Sequence, residues 1–234
     1  MPEIETCLRA MQPKLYPLGI RGRVARSTLA DAKETRDWRI AADFAQVLIG
    51  ITKPVYATEP LGVDLVAIVY AFDATTADLC LALFPWARFR QPKGAIKLHT
   101  LLNLRGSIPE FLYISEGKLS DVKALDVLIP LPGTYYVLDR GYVDFARLAR
   151  LQQAGTFFVT RAKVNLQYAC RYSHPVDKAT GVRCDQTIVL TGPKTATLYP
   201  VPLRGIRYTD PETGKRLVFL TDNFTLSALT IAQL

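Results

Sequence analysis

"YYVLDRGYVDFARL", residues 135–148, decides how the chain is read. Tyr135 to Leu138 form an unbroken apolar run, the pattern of a strand buried on both faces. The run stops at an acid and an arginine, Asp139 and Arg140, and a helical spacing begins almost at once. That helix spans 142–155 and is closed by Gly155, and "TFFVTRAK" (156–163) follows as another strand. Asp139 is then either a helix cap or a carboxylate carried by a central strand to a reactive site. Capping suits Asp144 better, because Gly141 and Tyr142 separate Asp139 from the helix and Asp144 sits at its first turn.

Upstream, "LVAIVYAFD" (65–73) is another continuously apolar strand, ending at Asp73. "AIKLHTLLNLRGSIP" (95–109) reads as a strand leading to a turn at Arg105–Gly106, and "EFLYISEG" (110–117) as a third strand of an antiparallel meander. "SDVKALDVLIP" (120–130) has a capping Ser120 and helical spacing of Val122, Leu125, Leu128 and Ile129. Three strands, helix, strand, helix, strand is the order of a ribonuclease-H-like α/β fold, a mixed sheet with flanking helices. Residues 61–163 are expected to be the first part of that core.

Residues 164–223 change texture. "QTIVLTG", "IRYTD" and "RLVFLTDN" are short β-prone runs separated by the turn-forming "DKATGVRCD" and "DPETGKR", a β-rich insertion. "TLSALTIAQL" (225–234) then starts a helix that reads as cut short. Residues 1–60 are expected to be helical, most clearly "STLADAKETRDWRIAADFAQVLIG" (27–50), with Ser27 or Thr28 as cap. A short helix, the basic link "GIRGRVARS" and this second helix suit either a DNA-binding helical bundle or a plain helical hairpin.

Composition narrows the function. Lys and Arg number 29 against 21 Asp and Glu, a formal charge of +8 that favours a polyanionic partner. Hydrophobic content of 49% is ample for a core. Cys7, Cys80, Cys170 and Cys184 form no CxxC pair, and neither His99 nor His174 lies at a zinc-site spacing, so reduced thiols are expected. No segment approaches the roughly 18 uninterrupted apolar residues of a membrane helix. The N-terminus has no apolar secretion signal, and a cytoplasmic protein without membrane contact is expected.

Asp73 and Asp139 carry the chemistry. In the inferred element order their strands lie side by side, so the two acids converge. Two carboxylates about 4 Å apart repel by roughly 4 kcal/mol at an effective dielectric near 20. A hard divalent cation between them, Mg2+ or Mn2+, relieves that repulsion. Two such ions would serve phosphoryl transfer. Taken singly, Asp73 also fits as the cap of a helix through "TTADLCLALF".

"YAFDATTADL" (70–79), "YVLDRGYVDFARL" (136–148) and "GTFFVTRAKVN" (155–165) resemble the DDE transposases of bacterial insertion sequences, specifically the IS-four group. The resemblance extends upstream into the helical segment and downstream to "TIAQL". It implies that Asp73 is the first catalytic acid and metal ligand, and Asp139 the second. The family's third acid is a glutamate on a helix after the β insertion, within a signature of tyrosine, two residues, arginine, three residues, glutamate, six residues, lysine. That signature is absent from this sequence. Glu212 lies in the "DPETGK" turn and Asp222 ends a strand, so neither substitutes.

By resemblance the intact enzyme uses two Mg2+ or Mn2+ ions, cuts double-stranded DNA at element ends, joins it to target DNA, and works as a homodimer in the bacterial cytoplasm. This chain is expected to be truncated at both ends, 1–60 being the remnant of a DNA-binding region and 224–234 the start of a core helix. Lacking the third acid, it is expected to be inactive alone. The alternative is a silent DNA-binding remnant or an inhibitor of intact transposase; a stand-alone nuclease ranks third. Candidate DNA contacts are Arg88, Arg90 and Lys93 in "WARFRQPKG" (86–94), with Trp86 and Phe89 for stacking, then Arg140, Arg161 and Lys163. A partly buried loop with exposed charges is the other reading of 86–94, and a solvated strand-end charge the other reading of Arg140.

Overall fold

Tyr135–Leu138 lies inside a mixed sheet, paired on each side with a parallel neighbour. The computed structural model describes residues 2–37, 39–79, 88–90 and 93–234; Trp38, Cys80 and Trp86 lie outside them, as do the side chains of Arg88, Phe89, Arg90 and Lys93. The chain forms two units, Met1–Ile51 and Thr52–Leu234.

The N-terminal residues fold into α1 (Pro2–Ala10), α2 (Gln12–Leu15), α3 (Arg26–Thr35) and α4 (Arg39–Tyr56). The single helix expected over 27–50 is therefore two. Arg36 is extended (φ −85°, ψ 148°), and the Asp37 carboxylate accepts the Arg39 N–H at 2.9 Å. Asp37 thus starts a new helix where the sequence has neither glycine nor proline to mark a break. α3 begins behind Ala25, with no side-chain cap from Ser27 or Thr28.

In the second unit the strands are β1 (Val69–Leu79), β2 (Arg88–Arg90), β3 (Lys93–Asn103), β4 (Ile108–Glu116), β5 (Tyr135–Leu138), β6 (Phe157–Arg161), β7 (Tyr168–His174), β8 (Val182–Leu190), β9 (Leu203–Thr209) and β10 (Arg216–Thr221). Helices α5 (Phe145–Gln153), α6 (Pro193–Leu198) and α7 (Ala228–Gln233) complete it. The order β4-β3-β1-β5-β6, with β1, β5 and β6 mutually parallel, is the ribonuclease-H-like sheet. β6 then pairs antiparallel with β10, and the sheet continues β10-β9-β8-β7. The β-rich segment is therefore an extension of the core sheet.

Burial on both faces marks the central strands, where consecutive residues of β5 and β6 are buried. Tyr70, Phe72, Tyr136, Leu138 and Phe158 join Leu148 and Leu151 of α5 in one buried cluster. α5 starts where Asp144 Oδ1 accepts the Arg147 N–H at 3.1 Å, and ends at Gly155, whose φ of 73° suits glycine. The Arg105–Gly106 turn is present. There Gly106 has φ 78°, and a Cβ on it would lie 2.4 Å from Tyr56 Cβ.

Two sequence expectations change here. β1 starts at Val69 rather than residue 65 and runs six residues past Asp73, because β3 keeps pairing with it from Asp73↔Thr100 to Leu79↔Gly94 after β5 has ended. The helix expected at 120–130 is a short 3-10 turn, Asp121–Asp126, with no side-chain cap from Ser120. Burial of Ala124, Leu125 and Leu128, with Pro130 close behind, leaves no room for a longer helix.

A buried ion pair ties the extension together. Arg204 donates to both carboxylate oxygens of Asp185 (2.8 and 2.7 Å) and to the carbonyls of Asn223 and Leu226. Asn223 Nδ2 in turn donates to the Tyr135 hydroxyl at 2.9 Å. This network fixes the link into α7, which begins where Ser227 accepts the Thr230 N–H.

Candidate active site

The parallel ladder between β1 and β5 runs from Val69↔Tyr135 to Phe72↔Leu138. Asp73 and Asp139 are the next residue on each strand. They stand level, on strands about 4.8 Å apart, and project to the same face. Both line one cleft of about 400 Å³, together with Thr160, Arg161, Phe219 and Leu234. Phe72 and Leu138, immediately before the acids, are buried, so core packing sets where the carboxylates emerge.

Asp139 is not a cap: the 3-10 turn Arg140–Tyr142 that follows it receives no side-chain capping bond. Its carboxylate instead accepts from the Arg161 guanidinium at 2.5 Å. That contact holds the Asp139 carboxyl below the usual range; burial opposes it, and the nearby Arg140 and Gly141 amides assist it.

The donor set fits a hard divalent cation. Two level carboxylates supply oxygens, and Arg161 contacts Oδ1 of Asp139. The Arg161–Asp139 pair is half exposed on both sides, and such pairs are worth about 0–1 kcal/mol. Close approach of two carboxylates costs several times that, roughly 4 kcal/mol at about 4 Å. Among the described residues, no group of three or more His, Cys, Asp or Glu side chains is arranged to hold a metal. Glu212 sits in the Asp210–Gly214 turn. Asp222 accepts the Phe158 N–H at 2.9 Å, three residues and roughly 10 Å along β6 from Arg161.

The remaining expected contacts divide. Arg140, Arg161 and Lys163 are exposed beside the acids and line a neighbouring recess. Arg88, Arg90 and Lys93 are not in the expected loop. Arg88 and Arg90 lie on β2, which pairs with Lys93 and Gly94 of β3. Gly94 also pairs with Leu79, six residues and about 20 Å along β1 from Asp73.

Tyr142 was missed by sequence reasoning. Its hydroxyl is buried without a hydrogen-bond partner among the described residues, and burial pushes its pKa up, with the charges of Asp121, Asp73 and Asp139 adding to the effect. The one sequence signal for it is its place in "DRGY". The Arg161–Asp139 contact was also missed, because it joins residues on separate strands.

Fold and site define a ribonuclease-H-like protein with paired acids at the centre of its sheet. Residues 65–234 match the family described as "Transposase DDE domain", and the chain belongs to that family. A protein of Sinorhizobium fredii named "Putative transposase y4zB" is 24% identical over 152 residues, 64% of this chain but only 42% of that protein. Among solved structures, endonuclease V from Streptomyces avermitilis is 15% identical, with 66% of this chain and 64% of that one covered and a TM-score of 0.30. Endonuclease V from Ciona intestinalis, solved with an inosine-containing DNA, is 11% identical over 85% of this chain and 88% of that one, with a TM-score of 0.32. The chain thus spans less than two thirds of the length of the first two. No helix among the described residues is long and apolar enough to cross a membrane.

Proposed function

We propose that this chain acts in the transposition of a bacterial insertion sequence as a transposase of the IS-four group, handling DNA in the bacterial cytoplasm. The observation that carries this reading is the level placement of Asp73 and Asp139 in one cleft, within a domain of the transposase DDE family. In this reading both acids hold divalent Mg2+ or Mn2+, two ions in the complete site. Such ions help ionise an attacking water or 3′-hydroxyl and neutralise charge on the leaving oxygen. Asp73 and Asp139 place that chemistry at the strand ends, Arg161 balances the charge of Asp139, and Arg140, Arg161 and Lys163 grip phosphates. Arg88, Arg90 and Lys93 remain candidate phosphate contacts by residue type. The partners are double-stranded DNA, at element ends and target, and a second copy of the chain.

The described residues bring two acids together where the resemblance calls for three. The chain by itself is therefore expected to bind DNA and Mn2+ without transferring a strand. The same observation favours the second reading, a silent DNA-binding remnant or an inhibitor of intact transposase. Titration with Mn2+ and a strand-transfer assay test both. Asp139→Ala should weaken Mn2+ binding by about tenfold or more, and unchanged affinity would sink the proposed site. Strand transfer by the purified chain, abolished in Asp139→Ala, would refute its inactivity.

A further inference from the structure

Beside the acid cleft lies a recess of about 390 Å³ lined by Arg140, Arg161, Lys163, Arg207 and Arg216, with no acidic residue in its walls. Arg161 belongs to both the recess and the acid cleft. Lys163 also lines a third hollow, about 420 Å³, whose far wall carries Lys194. The one acid there, Asp144, is already engaged as the cap of α5 and by Arg147. Arg161 is common to the first two hollows and Lys163 to the second and third. Arg207 and Arg216 share the face of Val218, opposite that of Phe219 and its partner Arg161.

The charge in this path is almost unneutralised. Among the described residues, only Arg161 of its six cations pairs with a carboxylate. Lys163 donates to the Val143 carbonyl at 2.9 Å and Arg207 to the Tyr168 hydroxyl at 3.3 Å. Among the described residues Arg140, Lys194 and Arg216 have no carboxylate partner. An isolated surface arginine is ordinarily just solvated. Arg140, Lys163, Arg207 and Arg216, four cations in one concave recess with no carboxylate partner among the described residues, are a different case, because their fields add and are focused by the walls.

Sheet register fixes the spacing. Ala162 donates its N–H to the Val218 carbonyl, and Val218 is level with Arg207. Arg207 therefore lies two strands from β6, roughly 10 Å, and Arg216 lies two residues from Val218 on the same face, roughly 7 Å. Phosphates along one strand of a duplex recur every 3.4 Å or so of helix axis, so these cations span about three of them.

We infer that this basic recess, built by the β-extension of the sheet and meeting the acid cleft at Arg161, is a bed for the phosphate backbone of DNA. Arg207, Arg216 and Lys194 are added to its contacts. The inference deepens the proposed function and rests on it. Contacts of this kind position a duplex without reading its bases, so the grip is independent of sequence.

The test measures binding of the full chain to a short duplex of arbitrary sequence, in EDTA, by fluorescence anisotropy at several salt concentrations. Arg207→Gln with Arg216→Gln should lower the salt slope by about 1.8, at about 0.9 per lost phosphate contact. The affinity gap from the parent should then close by about tenfold between roughly 50 and 200 mM salt. Arg171→Gln with Arg183→Gln removes the same charge outside the groove and should leave the slope unchanged. Equal slopes in the parent and the groove variant, equal losses in both variants, or no DNA binding by the parent would each overturn the inference. Polyglutamate competing as well as DNA would overturn the assignment to a nucleic-acid backbone. Because binding is read without metal, failure of the metal site leaves this result intact, and failure here leaves the Mn2+ result intact.

Discussion

Asp222 should make the protein less stable as pH rises from about 4 to 6, the reverse of what most carboxylates do. Its side chain is buried at the end of β10, with one oxygen on the Phe158 amide. Burial pushes its pKa from 3.8 up to about 6, while the Phe158 amide and its own amide pull it back. Below the unfolded value both states are protonated and the neutral acid sits comfortably in the fold. Between that value and about 6 the unfolded chain releases a proton that the folded one keeps, so rising pH favours unfolding. The loss is complete above about 6 and amounts to about 3 kcal/mol, roughly two pH units at 1.36 kcal/mol each. Asp222→Asn keeps an acceptor for Phe158 and has no charge to desolvate. Its second amide hydrogens carry a cost of their own, about 1–3 kcal/mol if unpartnered, but that cost does not vary with pH. The informative quantity is therefore the difference between parent and variant in urea unfolding free energy, measured from about pH 4 to 7. Other carboxylates cancel in that difference. It should move in the variant's favour by about 2.4 kcal/mol between about pH 4 and 7, the remainder of the loss falling below about pH 4. A flat difference, or one of opposite sign, would refute the reasoning.

Asp185→Ala strands the buried Arg204 guanidinium and should cost about 3–5 kcal/mol, read as a lower urea midpoint; a loss under about 1 kcal/mol would mean that the pair is not buried in solution. Gly106→Ala should cost more than Gly133→Ala. Both have φ 78°, but only the former drives a Cβ into Tyr56, so equal losses in thermal unfolding would refute the close approach. Asp144→Ala removes the cap of α5 and should cost about 0.5–2 kcal/mol by the same measurement.

Local pattern made some of this legible. Tyr135–Leu138 announces a strand flanked on both sides, Asp144 and Gly155 bracket α5, and the change of period at Asp139 places an acid between them. What escaped depends on partners distant in sequence. β1 continues past Asp73 because β3 pairs with it, and nothing in "DATTADL" alone distinguishes that from a helix capped by Asp73. The break between α3 and α4 rests on a single carboxylate, Asp37, turning back onto Arg39. β6 and β10 lie more than fifty residues apart in sequence, so "β-rich insertion" was readable while its fusion to the core sheet was not. Arg207 and Arg216 were unreadable for the same reason: they matter only once that sheet brings them into one recess with Lys163 and Arg140.

Asp139 and Asp222 show why position in this sheet decides what an acid does. Each follows a buried strand, and their pKa values move in opposite directions. Asp139 emerges just beyond Leu138, half in solvent and facing Arg161, so it stays charged and available to a cation. Asp222 meets a backbone amide inside the protein and resists ionising. Arg161 links the two environments: its neighbour across the ladder is Phe219, three residues before Asp222. The β-extension therefore does more than lengthen the sheet. By pairing β10 with β6 it holds the strand that presents Arg161 to Asp139, and a site on paired strands is held more tightly than one on loops. Disturbing the packing of β10 at Leu220, buried at 1% exposure, should reach the acid pair through Arg161 before it reaches the rest of β5.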